Sequence, residues 1–200
     1  NAIIAAEDER FYQHSGVDYV GVMRAAYQNL SAGGRRQGAS TITMQVARNF
    51  FLTREKTITR KLREVLLAWK IEANLSKDDI LQLYVNQIFL GQRAYGFAAA
   101  AQIYFGKSLR DVSPAEAAML AGLPKAPSAY NPVSNPKRAK SRQLYVLRRM
   151  HDLKYISSDE FRDAQTTPLG VRQGLREVLP THAEFVAEMA RQVVFDAYGE

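Results

Sequence analysis

The sequence predicts a mainly α-helical protein. Apolar residues recur every three to four positions along most of its 200 residues. No apolar–polar alternation continues beyond about four residues, too few for a convincing half-buried strand. Helix-start signals also recur. The clearest is Ser113-Pro114-Ala115-Glu116, a capping box with proline at the first helical position.

Taken in order, residues 2–13 and 18–31 read as the first two helices. "SAGGRRQGAS" is a Gly-rich basic loop, and Ser40 or Thr41 can cap a helix over 41–52. Residues 57–75 form a long amphipathic helix, with Ile58, Leu62, Leu66, Trp69 and Ala73 on its apolar stripe. Ser76 caps "KDDILQLYVNQIFL", and the Ala-rich residues 95–105 suit close packing against a neighbour. The capping box at Ser113 starts a helix through "AEAAMLAGL". Pro124, Pro127, Pro132 and Pro136 mark an extended connector. A basic helix over 136–153, a short one over 157–165 and a last one over 181–198 complete the chain.

The composition is 46% hydrophobic, enough to bury a core. There is no cysteine, which excludes disulfides, a thiol nucleophile and thiolate metal sites. His14, His151 and His182 lie too far apart to match a zinc spacing. The net charge of +7 is concentrated: residues 48–70 hold seven bases and two acids, and residues 137–154 seven bases and one acid. Such segments are either solvated helix faces or the footprint of a polyanionic partner. No apolar run approaches the ~18–20 residues of a membrane span. The opening at Asn1 lacks a basic signal-peptide region, and both ends read as helices of a longer protein.

Two carboxylates stand out. If residues 2–13 are one helix, Ile3, Glu7, Arg10, Phe11 and His14 share a face. Glu7 then sits among apolar neighbours, while Asp8 and Glu9 point elsewhere. Desolvation would raise its pKa toward the range useful to a general base; the alternative is a simple pair with Arg10. In "ITRKLREVLL", Glu64 falls on one face with Arg60 and Lys61, and Arg63 is rotated away. This is either a surface ion-pair cluster or a cationic patch suited to a diphosphate, with or without a bridging divalent ion. Two other motifs fail. "FGKS" at 105–108 has alanine where a phosphate loop needs its first glycine. Ser134-Asn135-Pro136-Lys137 lacks the companion motifs of penicillin-reactive serine enzymes.

Five ordered segments together resemble the family 51 glycosyltransferase domain of class A penicillin-binding proteins, of the Gram-negative 1a type. They are "EDERFYQHSGVD", "GASTITMQVARN", "RKLRE", "KDDILQLYVNQIFLG" and "LAGLPKAPSAYNP". Met44 departs from the family's glutamine pair, leaving Gln45 as its second member, and Arg48 stands where the family often has lysine. The resemblance implies a lysozyme-like helical fold with a larger lobe and a smaller, membrane-facing one. Residues 1–170 would form the glycosyltransferase domain. Residues 171–200 would be a helical linker toward a C-terminal transpeptidase region.

The implied reaction polymerises lipid II onto a nascent glycan strand, forming β-1,4 links with inversion and expelling undecaprenyl diphosphate. Glu7 is then the expected base, and Glu64 supports the diphosphate side. Arg24, Arg48, Arg60, Lys61 and Arg63 are the expected phosphate contacts, and Ser40 and Gln45 the sugar or phosphate contacts. His14 is expected to be structural. No cofactor is expected to be required, though a divalent cation fits the scheme. The implied setting is the periplasmic face of the bacterial inner membrane, with an N-terminal transmembrane anchor and other cell-wall synthesis proteins as partners, and no nucleic acid. "RNFFLTREK" at 48–56 reads either as a segment dipping into lipid headgroups or as buried packing. Two rivals remain at this stage: a lysozyme-like glycan-cleaving enzyme and a basic nucleic-acid-binding module.

Overall fold

The computed structural model describes residues 1–31, 40–52 and 57–172. Nine α-helices occupy these residues: α1 (Ala2–Glu7), α2 (Tyr19–Ser31), α3 (Ile42–Phe51), α4 (Ile58–Glu72), α5 (Lys77–Gln87), α6 (Phe97–Phe105), α7 (Pro114–Gly122), α8 (Pro136–Asp152) and α9 (Ser158–Thr166). The one β pairing among the described residues is an isolated bridge between Phe89 and Tyr95. Most of the Gly-rich loop, residues 53–56 and the helix expected over 181–198 lie outside the described residues.

Side-chain caps set most helix starts. Thr41 caps α3, accepting from the Met44 N–H at 3.1 Å, and Thr57 caps α4. Ser76, Ser113 and Ser157 each complete a reciprocal capping box, with Asp79, Glu116 and Glu160. The large core gathers α1, α3 and α5–α9 around Phe11, Ile42, Ile80, Tyr84, Leu90, Tyr104, Leu120 and Leu147. Buried alanines on α6 and α7, among them Ala100, Ala101, Ala118 and Ala121, let these helices approach closely. A second, smaller cluster of Val17, Met44 and Ala68 joins α3, α4 and the turn before α2.

Two expectations fail. The first helix ends at Glu7, not at residue 13. A 3-10 turn, Phe11–Gln13, follows. The cause is Asp8, whose buried carboxylate accepts from the Ile42 N–H at 3.0 Å and meets His14 Nε2 at 3.0 Å. It thereby answers an orphan N–H at the start of α3. Arg10 consequently pairs with Asp18, at 3.8 Å, instead of Glu7.

The second concerns α4. Its expected apolar stripe faces outward: Ile58 is 84% exposed, Leu62 61% and Leu66 60%. The helix packs instead through Glu64, Val65 and Ala68. Gly16 makes that contact close. It adopts φ +91°, and a Cβ there would lie 3.1 Å from the Ala68 carbonyl group. Thr41 Oγ1 donates to the Gly16 carbonyl at 2.6 Å, tying the turn to α3 as well.

Candidate active site

Glu7 is the last residue of α1, where the chain leaves the helix beside α3 and α8. One carboxylate oxygen accepts from Arg142 Nη2 at 3.1 Å and the other from Gln45 Nε2 at 3.1 Å. The Gln45 carbonyl oxygen accepts in turn from the buried Tyr84 hydroxyl at 3.2 Å. Burial raises the Glu7 carboxyl above its ordinary value. The Gln45 hydrogen bond and the charges of Arg142 and Lys125 pull against that rise without cancelling it. Burial also lifts Tyr84 well above its ordinary value, so its hydroxyl keeps its proton and remains a donor.

Arg142 reaches this carboxylate because α8 packs on α7 at Gly122. A Cβ at Gly122 would sit 2.8 Å from Arg142 Cγ. The guanidinium lies 4.6 Å from the Tyr145 ring centroid and 5.8 Å from that of Tyr130.

Two cavities meet at Glu7. The smaller, about 80 Å³, is bordered by Asp8, Glu9, Asp18, Arg24 and Arg149. Glu9 pairs there with both Arg24 and Arg149; burial works to raise its carboxyl, but the two guanidiniums prevail and hold it below its ordinary value. The larger, about 460 Å³, is bordered by Gln45, Arg48, Lys125, Tyr130 and Arg142, a strongly basic lining with Glu7 as its acid. Glu7, Ser40 and Tyr145 border both.

Behind Ser40 stands the second carboxylate. Glu64 is buried on α4, paired with Arg60 and with Lys61 Nζ at 2.8 Å. Lys61 Nζ also donates to Ser40 Oγ at 2.8 Å.

The sequence profile described as "Transglycosylase" matches residues 1–151. This chain belongs to the transglycosylase family. It is 60% identical over 200 residues to penicillin-binding protein 1A of Neisseria meningitidis and 59% identical to that of Neisseria gonorrhoeae. All of this chain aligns in both cases, yet it spans only 25% of each relative. A Cupriavidus necator protein bearing a transglycosylase designation is 62% identical over 171 residues, covering 86% of this chain and 74% of its own length. The crystal structure of penicillin-binding protein 1A from Haemophilus influenzae matches at 37% identity, with a TM-score of 0.48, over 80% of this chain and 20% of that one. The fold of the described residues is mainly helical, with one main core and a second, smaller cluster of Val17, Met44 and Ala68.

Within this transglycosylase, Glu7, Arg24, Ser40, Gln45 and Arg48 all border the paired cavities. Glu64, Arg60 and Lys61 border neither. They connect to them through the Lys61–Ser40 hydrogen bond. Arg63 is exposed and also borders neither. Both Glu64 oxygens are occupied by cationic side chains, and among the described residues no three acidic or histidine side chains converge as metal ligands. The donor set at Glu64 therefore does not fit a divalent ion.

Sequence reasoning missed Lys125, Arg142, Tyr84 and Tyr145. Lys125 lies inside "LAGLPKAPSAYNP", one of the five family segments. Arg142 reads in the sequence as one base of a charge run. Yet Ala139, Gln143, Val146, Leu147 and Met150 share its buried stripe at helical spacing, and an arginine within such a stripe signals a buried partner.

Proposed function

We propose that this chain is the glycan-polymerising unit of a class A penicillin-binding protein, joining lipid II to a nascent strand with inversion and release of undecaprenyl diphosphate. The observation that carries the reading is Glu7: a partly buried carboxylate, held at both oxygens, at the meeting point of two cavities of which the larger is basic. Forming the link requires a base to take the proton from a sugar hydroxyl and positive charge to receive the departing diphosphate. Glu7 supplies the first. Its raised pKa strengthens it as a base, and Arg142 keeps the ionised form populated. Arg48 and Lys125 supply the second within the cavity, with Lys61 nearby behind Ser40. Glu64 holds Arg60 and Lys61 in place beside Ser40.

Glycan cleavage would also use a buried glutamate, but it has no diphosphate to receive, which leaves the basic lining without a role. A nucleic-acid-binding module would have no use for the hydrogen-bonded Glu7–Gln45–Tyr84 chain.

The smaller lobe rests on the membrane surface at the periplasmic face. Phe50 and Phe51 on α3 are 45% and 62% exposed, so both point away from the core. Ile58, Leu62, Leu66 and Trp69 line the outer face of α4 in the same manner. These exposed apolar residues, with the exposed bases Arg63 and Lys70 on the same helix, suit an anionic lipid interface. No helix among the described residues is long and apolar enough to cross a membrane. Residues 1–170 form the glycosyltransferase unit, and 171–200 lead toward the rest of a longer protein with a membrane anchor and a transpeptidase region.

The deciding experiment supplies labelled lipid II in detergent. Polymer forms, moenomycin suppresses it, and purified sacculi are not shortened. Shortened sacculi without polymer would reverse the assignment.

A further inference from the structure

On α8, Arg142, Tyr145 and Arg149 follow one another at spacings of three and four, so they share one face, turned to the cavities. The two arginines are committed to carboxylates: Arg142 to Glu7 and Arg149 to Glu9. Tyr145 stands between them and makes no hydrogen bond with another described residue. It is 43% exposed and, with Glu7 and Ser40, borders both cavities. An exposed tyrosine on a helix is ordinary. A tyrosine at the junction of two cavities, beside the proposed base, with a buried guanidinium 4.6 Å from its ring centroid, is a prepared surface.

The chemistry of that surface selects its ligand. Flanking arginines already neutralised by Glu7 and Glu9 leave little pull for an anion at this spot. A flat, partly apolar ring with a polar tip suits a neutral ligand with one apolar face, and a pyranose ring has such a face in its axial C–H bonds. Arg142 is itself fixed by Glu7, by the Gly122 carbonyl at 3.4 Å and by Tyr130, so the platform is held in register with the Glu7 carboxylate.

We propose that Tyr145 is a sugar-stacking residue: its ring carries the N-acetylhexosamine whose hydroxyl Glu7 deprotonates. This rests on the reading of the site as a glycan polymerase and adds to it the residue that orients the acceptor sugar.

The test is steady-state polymerisation of lipid II by the wild-type protein, Tyr145→Ala and Tyr145→Phe, with thermal unfolding of each. Stacking in ground and transition states alike predicts that Tyr145→Ala raises KM about tenfold with kcat nearly unchanged. Tyr145→Phe, which keeps the ring, restores KM to within about twofold. If Tyr145→Ala does not fold, Tyr145→Leu replaces it with the same expectation. An unchanged KM in the non-aromatic variant, an equal loss in Tyr145→Phe, or a loss confined to kcat overturns the proposal. Failure of the wild-type protein to make polymer would instead refute the polymerase reading beneath it, so the two failures are distinguishable.

Discussion

Glu7→Gln should remove activity, and its effect on stability should depend on pH. Burial raises the Glu7 carboxyl despite Gln45, Arg142 and Lys125. Ionising it in the folded protein is therefore less favourable than in the unfolded chain, even after its partners have acted. Between the unfolded pKa and the raised folded one, the folded state binds more protons. Stability accordingly falls as pH rises through that window and stays at the lower level above it. Glutamine cannot ionise, so it lacks this pH dependence, although its amide NH2 must face one of the two donors that Glu7 accepts from, Arg142 or Gln45.

Each pH unit of elevation corresponds to about 1.4 kcal/mol. In a domain of this size, about 1 kcal/mol moves the unfolding midpoint by roughly 2–4 °C. Scanning calorimetry should show the variant's midpoint, relative to wild type, higher at pH 8 than near pH 4, where Glu7 is largely neutral. Lipid II turnover should meanwhile drop by about 10²–10⁴-fold, the usual worth of a general base. Wild-type turnover should decline as acidification protonates Glu7, beginning above the pH at which an ordinary glutamate titrates. A variant retaining a tenth of wild-type turnover would show that Glu7 is not the base. A midpoint difference that stays the same between pH 8 and pH 4 would show that the charge is not held at a cost.

Glu64→Gln releases Arg60 and Lys61 from their shared carboxylate. Turnover should fall by orders of magnitude with a smaller loss of substrate affinity, measured by single-turnover kinetics and equilibrium binding; wild-type turnover would show Glu64 idle. Gly16→Ala meets the Ala68 backbone at a positive φ and should cost about 1–3 kcal/mol, read from urea unfolding. Leu62→Lys with Leu66→Glu, both on the outer face of α4, should weaken sedimentation with anionic lipid vesicles several-fold while the unfolding midpoint stays within a degree or so. A chelator such as EDTA should leave polymerisation unchanged if Arg60 and Lys61 keep both Glu64 oxygens during turnover; loss of turnover restored by a divalent ion would contradict this.

The amino-acid order alone makes legible whatever short-range chemistry controls. Helix starts at Thr41, Ser76 and Ser113 were legible because a cap bonds an N–H three residues away. The helical period of 58–72 was legible for the same reason, and so were the five family segments. Tertiary structure decided everything that depends on a partner distant in the chain. Asp8 ends α1 early because it bonds Ile42, 34 residues on. Glu7 owes its environment to Arg142, 135 residues on, a base that periodicity placed on a helix but could not aim. The stripe on α4 had the right spacing and the wrong destination, since amphipathicity identifies two faces without saying which one the core will take. Here Gly16 and the Glu64 ion pairs claimed the inner side, and the apolar residues were left facing out.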